Sequence, residues 1–177
     1  MRVALLNPAT TRQSPYPHLG LAFLAAQLTN HGHVVICRDG SAPYGPGSNE
    51  GLVRRCRDFK PDIIGVTATT ECVKFAYHLL YLLRNDLGSI PVVAGGPHVS
   101  ICPVEMVAHG FDAAVAGAAE TRINDLVNLL IAGDHQGLIG LGGVACRLPD
   151  RSIRYIPLGQ SSTPFDINSL YPVRFMG

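Results

Sequence analysis

Short apolar runs alternate with longer amphipathic stretches along the first 133 residues of the chain. A brief apolar run bounded by turn residues is typical of a buried strand, and apolar positions three and four apart are typical of a helix. The pattern predicts five strands, at 2–7, 33–38, 63–66, 90–94 and 111–116. It predicts helices at 19–31, 50–59, 73–87, 103–109 and 119–131.

Five strand–helix units in succession predict an α/β fold, because parallel strands need a crossover connection and the helix supplies it. The expected architecture is a doubly wound, five-stranded parallel sheet with the flavodoxin-like or Rossmann-like strand order 2-1-3-4-5. The ligand crevice of such a sheet lies at the carboxyl ends of strands 1, 3 and 4, where the strand order reverses.

The pattern changes after residue 136. Several glycines precede two short strands that are separated by Pro149-Asp150-Arg151, which predicts a β-hairpin. We therefore expect a Rossmann-like domain at 1–135, a hairpin extension at 136–158 and a linker at 159–177. The polar, proline-containing end of the sequence is typical of a chain cut before a further domain.

The composition of the chain excludes several classes of function. Hydrophobic residues make up 47% of the 177 residues, enough for one sizeable core, and 14 basic residues nearly balance 13 acidic ones. A chain with a net charge near zero has no electrostatic footprint for nucleic acid. No apolar run approaches the roughly 20 residues that cross a bilayer, and the N-terminal run is too short for a signal peptide. We expect no membrane span and a cytoplasmic location.

The five cysteines are scattered along the chain and form no CxxC or CxxxCxxC group. This arrangement predicts reduced thiols, with neither a zinc site nor an iron–sulfur site, and no metal ligands were assigned from the sequence.

Candidate ligand-binding residues lie in the loops that follow strands 1, 3, 4 and 5. The most distinctive loop is Gly95-Gly96-Pro97-His98, because a glycine pair lets the backbone turn sharply and leaves space for a large ligand. A tight strand-to-helix turn without a ligand explains these four residues equally well. The full candidate set is Pro8, His18, Leu19, Gly20, Thr67, Ala68, Thr69, Gly95, Gly96, Pro97, His98, Gly117, Glu120 and Thr121.

Several common sites are excluded by the sequence. It contains no GxGxxG or GxxxxGK[ST] nucleotide fingerprint and no GxSxG elbow. The imidazole side chains of His18 and His98 suit a metal ligand or a proton carrier, and a hydrogen-bonding or packing role is the alternative. Glu120 either contacts a ligand or complements the dipole of the fifth predicted helix.

Four motifs, in this order, resemble the cobalamin-binding domain that precedes the radical SAM domain in B12-dependent radical SAM enzymes. That family includes methyltransferases and the anaerobic magnesium-protoporphyrin ester cyclase. The motifs are PHLGLAFLAA at 17–26 with GHVV at 32–35 and Asp39, PDIIGVT at 61–67, VAGGPHVS at 93–100, and DAAVAGAAET at 112–121. The resemblance covers residues 1 to about 133.

The resemblance implies that the corrin of cobalamin rests over the carboxyl ends of the strands and that its nucleotide tail lies beside strand 4. Gly95 and Gly96 would leave room for the tail, and Thr67 and Thr69 would offer hydroxyl groups. The chain lacks the DxHxxG motif that supplies a cobalt-ligating histidine in mutases and methionine synthase, which implies base-off cobalamin. The usual Gly-Glu-Gly-Glu after strand 5 is reduced here to a single carboxylate, Glu120.

The implied function is that of the cobalamin-binding part of a radical SAM methyltransferase or cyclase. A downstream radical SAM domain would act with it on a small-molecule substrate, and S-adenosylmethionine and a [4Fe-4S] cluster would belong only to a longer protein. The chain alone is expected to be inactive. The alternatives are a standalone corrinoid carrier, a domain whose site has decayed, and a flavodoxin-like module that binds a nucleotide or a protein. We also expect Gly96→Leu to fill the tail slot with little loss of folding.

Overall fold

Seven strands form one sheet in the computed structural model, which describes residues 1–159 of the chain. The strand order is β2-β1-β3-β4-β5-β6-β7. The first five strands in this order are parallel to one another, and β6 pairs in the antiparallel direction with both β5 and β7. The strands are β1 (Arg2–Asn7), β2 (Val34–Asp39), β3 (Ile63–Thr67), β4 (Val92–Gly95), β5 (Ala113–Val115), β6 (Val144–Arg147) and β7 (Ile153–Ile156).

Helices cover both faces of this sheet. Within residues 1–159 they are α1 (Leu19–Asn30), α2 (Asn49–Phe59), α3 (Val73–Leu87), α4 (Pro97–Ile101), α5 (Pro103–Ala108), α6 (Ile123–Ala132) and α7 (His135–Gly140), and a 3₁₀ turn at Thr70–Cys72 precedes α3. The predicted α/β class and the parallel order 2-1-3-4-5 are confirmed.

The predicted hairpin is present, but it does not stand apart from the sheet. Strand β6 pairs with β5, with Ala114 opposite Ala145, and β7 forms the new edge. The sheet therefore has seven strands rather than five. The physical reason is that β5 would otherwise expose a row of unpaired backbone groups. Apart from Gly159, the predicted linker at 159–177 lies outside the described residues.

Two hydrophobic cores lie on opposite faces of the sheet. Val3 and Leu5 of β1 belong to the core that packs with Leu28 of α1 and residues of α6 and α7. Ala4 and Leu6, the alternate residues of the same strand, belong to the core beneath α2, α3 and α5. Because successive strand side chains point to opposite faces, two covered faces require strands that are apolar throughout. This requirement explains why the strands are continuous apolar runs in the sequence.

Two short helices were not predicted. Helix α4 begins directly after Gly96, whose φ of +106° allows the chain to turn from strand to helix without a connecting loop. Helix α7 begins at His135 and is capped by Asp134, whose side chain accepts a hydrogen bond from the Gly137 N–H at 2.9 Å. The sequence pattern missed both because neither is longer than six residues and glycines stand beside or within them.

The fifth predicted helix begins four residues later than expected, at Ile123 of α6 rather than at residue 119. The residues before α6 form a loop whose carbonyl groups contact the Arg122 guanidinium. The guanidinium donates hydrogen bonds to the carbonyl oxygens of Ala116 at 3.0 Å, Ala118 at 2.9 Å and Gly142 at 2.6 Å. Carbonyl groups held in this way are not arranged for a helical turn.

All five cysteines are free thiols, as predicted. Burial is the main cause that raises the pKa of Cys37 to about 11 and that of Cys56 to about 12, so both thiols stay protonated at neutral pH. None of the helices in residues 1–159 is long and apolar enough to cross a membrane.

Asp112 joins helix α3 to the amino ends of β4 and β5. Its Oδ2 accepts hydrogen bonds from the Arg84 guanidinium and from the Val92 N–H, both at 2.6 Å. Arg84 also donates to the carbonyl oxygens of Ile90 at 2.7 Å and Gly110 at 3.1 Å. One carboxylate therefore organises three segments at the end of the sheet opposite the predicted crevice.

Replacing Asp112 with Ala is expected to lower the free energy of unfolding by about 1 to 2 kcal/mol, because hydrogen bonds to a charged group are lost. Urea denaturation of the whole chain measures this change. Asp58→Ala is the matched control, since Asp58 is exposed near the end of α2, and its effect should stay within about 0.5 kcal/mol. Equal losses in the two variants would contradict the role given to Asp112.

Candidate functional site

A cavity of about 290 Å³ lies at the carboxyl end of the parallel sheet and extends between the sheet and helices α1 and α6. This volume is near the lower end of the range for small-molecule sites. Its walls are formed by apolar side chains from both sides. Those from the strands include Val3, Leu5, Ile63, Val93 and Val115, and those from the helices are Leu21, Leu24, Ile123, Leu126 and Val127.

Eight of the fourteen residues predicted from the sequence line this cavity. They come from the loops after β1, β3, β4 and β5, which the parallel sheet brings to one edge. They are His18, Gly20, Thr67, Gly95, Gly96, Pro97, Gly117 and Glu120. The other six do not line it: Pro8, Leu19, Ala68, Thr69, His98 and Thr121.

The two glycines after β4 have different roles. A Cβ atom built on Gly95 would meet no other atom within 4 Å, so this residue keeps the mouth of the cavity open. A Cβ atom on Gly96 would lie 2.7 Å from Thr67 Oγ1 and 2.8 Å from the Ala68 carbonyl oxygen. Gly96 therefore allows two loops to approach closely, whereas Gly95 leaves space for a ligand.

This difference corrects one prediction from the sequence. Gly96→Leu was expected to fill the slot with little loss of folding, but its side chain would collide with the β3 loop in a backbone conformation that favours glycine. The side chain that would enter the cavity is one placed at Gly95.

The loops after β3 and β4 are also joined by backbone hydrogen bonds. The Ala68 N–H donates to the Gly95 carbonyl at 2.8 Å, and the His98 N–H donates to the Ala68 carbonyl at 3.1 Å. Ala68 is buried, and its backbone N–H and carbonyl groups hold the two loops together.

His18 caps helix α1 while its ring lines the cavity. Its Nδ1 accepts a hydrogen bond from the Leu21 N–H at 3.3 Å. A neutral imidazole that accepts at Nδ1 carries its proton on Nε2, so neither ring nitrogen then has a free lone pair. In this arrangement the His18 side chain offers the cavity an N–H donor rather than a metal ligand.

Glu120 places a carboxylate at the rim of the cavity. Its Oε2 is buried and has no hydrogen-bond partner among residues 1–159, which is unfavourable for a carboxylate unless a donor arrives. The neighbouring Arg122 is occupied by the three carbonyl oxygens described above. Partial burial lowers the pKa of Arg122, and the Glu120 carboxylate acts in the opposite direction.

The predicted residues outside the cavity have other surroundings. Pro8 is buried, and its carbonyl oxygen accepts a hydrogen bond from Ser41 Oγ at 3.0 Å. Leu19, Thr69 and Thr121 are exposed. The His98 Nδ1 lies 3.2 Å from Thr70 Oγ1, so the hydrogen-bond partner of this ring is a residue that does not line the cavity.

The apolar lining and Arg122 were not identified from the sequence. Val3, Leu5 and Leu126 have the same spacing as ordinary core residues, and no local signal distinguishes a residue beside a cavity from one beside another side chain. Arg122 has no motif of its own, because its partners come from separate loops.

Residues 8–127 match the family model of the B12 binding domain, so the chain belongs to this family of cobalamin-binding domains. The family confirms the resemblance found in the four motifs. The chain is also 35% identical, over 128 residues, to an uncharacterised methyltransferase from Pyrococcus horikoshii. That match covers 71% of this chain and 27% of the relative.

Two of the solved structures with the same fold are radical S-adenosylmethionine enzymes. The chain resembles the S-adenosylmethionine radical enzyme OxsB with aqua-cobalamin and S-adenosylmethionine bound, with a TM-score of 0.73 and 18% identity over 90% of this chain and 22% of that one. It also resembles the radical S-adenosylmethionine methyltransferase TsrM from Kitasatospora setae with cobalamin and a [4Fe-4S] cluster, with a TM-score of 0.71 and 19% identity. That match covers 97% of this chain and 31% of TsrM. The chain thus spans less than a third of the length of these relatives.

The residues at the cavity fit cobalamin. The apolar walls suit an aromatic base such as the one in its nucleotide tail, and Gly95 leaves the entrance open. The buried, unpartnered oxygen of Glu120 suits a hydrogen-bond donor, and the corrin ring carries primary amide groups at its edge.

The two adjacent glycines can be distinguished by alanine substitution. Gly96→Ala is expected to lower the free energy of unfolding by about 2 kcal/mol or more, because it forces an alanine into a strained backbone conformation against the β3 loop. Gly95→Ala is the matched control, and its effect should stay within about 0.5 kcal/mol since its Cβ enters open space. Urea denaturation of both variants tests the difference, and a larger loss for Gly95→Ala would reverse the two roles.

Proposed function

We propose that this chain binds base-off cobalamin and serves as the cobalamin domain of a B12-dependent radical SAM enzyme. The observation that carries the proposal is the cavity at the carboxyl ends of β1, β3, β4 and β5, which Gly95 keeps open. The family membership and the fold shared with OxsB and TsrM support it. Residues 1–135 would hold the cofactor, and residues 136–158 would complete the edge of its sheet.

The cavity residues would hold different parts of the cofactor. The apolar walls between the sheet and helices α1 and α6 would receive the nucleotide tail and exclude water from it. At the rim, Thr67 and Glu120 would offer oxygen atoms to the amide groups of the corrin. When bound, cobalamin supplies a cobalt centre that accepts a methyl group and passes it on.

The base-off state is supported by the position of His18. Its Nδ1 is used to cap helix α1, and a histidine used in this way has no lone pair left for cobalt. With the nucleotide tail in the cavity and His18 capping α1, neither the tail base nor the His18 ring would be available as a nitrogen ligand. This arrangement would suit the methyl-transfer chemistry that bound cobalamin supplies.

A radical SAM domain outside this chain is the expected partner. The chain has no CxxxCxxC group for a [4Fe-4S] cluster, and it spans less than a third of the length of OxsB and TsrM. We propose that the cluster, S-adenosylmethionine and the small-molecule substrate are bound by that further domain. The activity of the whole protein would be methyl transfer or a related radical reaction.

Gly95→Leu tests the cavity directly. A leucine side chain at this position would occupy the entrance, so the affinity for hydroxocobalamin is expected to fall at least tenfold, which corresponds to about 1.4 kcal/mol. Gel filtration after mixing, followed by the visible spectrum of the protein fraction, measures retention. Gly140→Leu is the matched control because a Cβ there also meets no atom within 4 Å, but the position lies on α7 away from the cavity.

Two results would contradict the proposal. Unchanged retention of hydroxocobalamin by Gly95→Leu would show that the cavity is not part of the binding site. No retention of cobalamin by the wild-type chain, in a sample whose folding is confirmed by circular dichroism, would remove cobalamin binding from this chain.

His18→Ala tests the base-off assignment. The visible spectrum of bound cobalamin is expected to be base-off in the wild-type chain and unchanged in the variant, since His18 does not reach cobalt through a lone pair. His18→Asn, which retains a side chain able to cap the helix, is the control for stability. A wild-type spectrum that shows a nitrogen ligand, and its loss in His18→Ala but not in a variant of His31, would overturn the assignment.

A further inference from the structure

A second group of polar side chains lies outside the cavity, where helices α4 and α5 meet. His98 belongs to α4, Cys102 stands between the two helices, and Glu105 belongs to the first turn of α5. One imidazole nitrogen, one thiol sulfur and one carboxylate oxygen of these residues lie within 4.8 Å of one another. The proposed cobalamin site uses none of the three.

The His98 ring is buried and only partly satisfied. The residue is 7% exposed, and its Nε2 has no hydrogen-bond partner among residues 1–159. The nearest charged group is Glu105 Oε1 at 3.7 Å, which is too far for a hydrogen bond. On the other side of the ring, Nδ1 lies 3.2 Å from Thr70 Oγ1. If Nδ1 donates to that hydroxyl, Nε2 carries a lone pair that is free to bind a metal ion.

Glu105 is held in place from the opposite side. The Tyr77 hydroxyl donates a hydrogen bond to Glu105 Oε1 at 2.6 Å, and the Tyr77 ring stacks on His109 with 3.9 Å between ring centres. The hydrogen bond from Tyr77 is the main cause that lowers the pKa of Glu105. Outer hydrogen bonds of this kind, from the His98 imidazole to Thr70 and from Tyr77 to the carboxylate, commonly orient the ligands of a metal ion.

We propose that His98 Nε2, Cys102 Sγ and a Glu105 carboxylate oxygen bind a zinc ion, with water as the fourth ligand. Nitrogen and oxygen ligands at the usual zinc distances of about 2.0 to 2.2 Å stand about 3.4 Å apart in a tetrahedral site. The 3.7 Å between His98 Nε2 and Glu105 Oε1 is close to this spacing. Imidazole, thiolate and carboxylate together are a donor set that zinc accepts more readily than calcium or magnesium does.

A zinc ion bound to these three residues would hold α4 and α5 together next to the Gly95-Gly96 turn. Cys102 marks the break between the two helices, and Pro103, which has no N–H to donate, begins the second one. Through Thr70, the His98 ring also contacts the loop that follows β3. A metal ion here would therefore stabilise the same two loops that form the rim of the cavity.

The sequence search for paired cysteines could not reveal this group. Its pattern is His-x₃-Cys-x₂-Glu, with three different donor types at the junction of two short helices, of which only the second was predicted. Only the turn between α4 and α5 brings Glu105 back toward His98.

Zinc binding by the cobalamin-free full chain, reduced and treated with a chelator beforehand, tests the proposal. We expect one zinc ion per chain by calorimetric titration, and a rise in the melting temperature of roughly 5 to 10 °C at a hundredfold excess of zinc over Kd. With Co²⁺ as the probe, a thiolate-to-metal charge-transfer band should appear together with the visible bands of a tetrahedral ion. Cys102→Ser should abolish the charge-transfer band and weaken zinc binding at least tenfold.

Two further variants make the test specific. Glu105→Gln keeps an oxygen that accepts from Tyr77 but removes the charge, so it should weaken zinc binding at least tenfold while the chain stays folded. Cys37→Ser is the control, because Cys37 is a half-buried thiol of β2 that is not in the group, and it should bind zinc as the wild type does.

The proposal is overturned if the wild-type chain takes up no zinc, or if Cys102→Ser and Glu105→Gln both bind it with unchanged affinity. Loss of binding in Cys37→Ser alone would assign the metal to another thiol and would also overturn it. A protonated His98 that simply pairs with Glu105 predicts no zinc uptake, and the titration therefore separates that explanation from the proposed site.

Discussion

The close approach of the Gly96 backbone to Thr67 and Ala68 is the contact on which the carboxyl edge of the sheet depends. No side chain fits between these loops, and the backbone hydrogen bonds through Ala68 hold them at a fixed distance. Because Gly96 takes up the sharp turn, Gly95 can remain in the strand and face open space. The same turn starts α4 without a connecting loop, which brings His98 beneath Thr70. The cavity and the His98 group are therefore consequences of one turn.

The cavity itself departs from the close packing of the rest of the fold. Protein interiors contain few voids, and an apolar space costs dispersion contacts along its walls. Here the walls are strand residues such as Leu5 and Val93 on one side and Leu126 on the other, so the space lies within what would otherwise be the core between the sheet and helices α1 and α6. A bound nucleotide tail would restore those contacts, and binding and folding would then be linked.

Polar groups at the rim are held in place by elements that are distant in the sequence. Arg122 receives its partners from the β5 loop and from Gly142, and Gly142 lies next to the strand that extends the sheet. The hairpin therefore protects the edge of β5 and also supports the loop that carries Glu120. A domain reduced to its five parallel strands would lack this support on one side of the crevice.

The sequence by itself determined the order of the strands, the two-faced core and the location of the crevice. These features follow from local apolar runs, from turn residues such as Gly95 and Gly96, and from the rule that parallel strands end at one edge. The tertiary structure alone decided which glycine opens the cavity, which way His18 and His98 point, and where the hairpin pairs. The roles of the two glycines, the position of His98 and the pairing of the hairpin depend on contacts between residues far apart in the chain. A sequence pattern carries no information on the space between such residues.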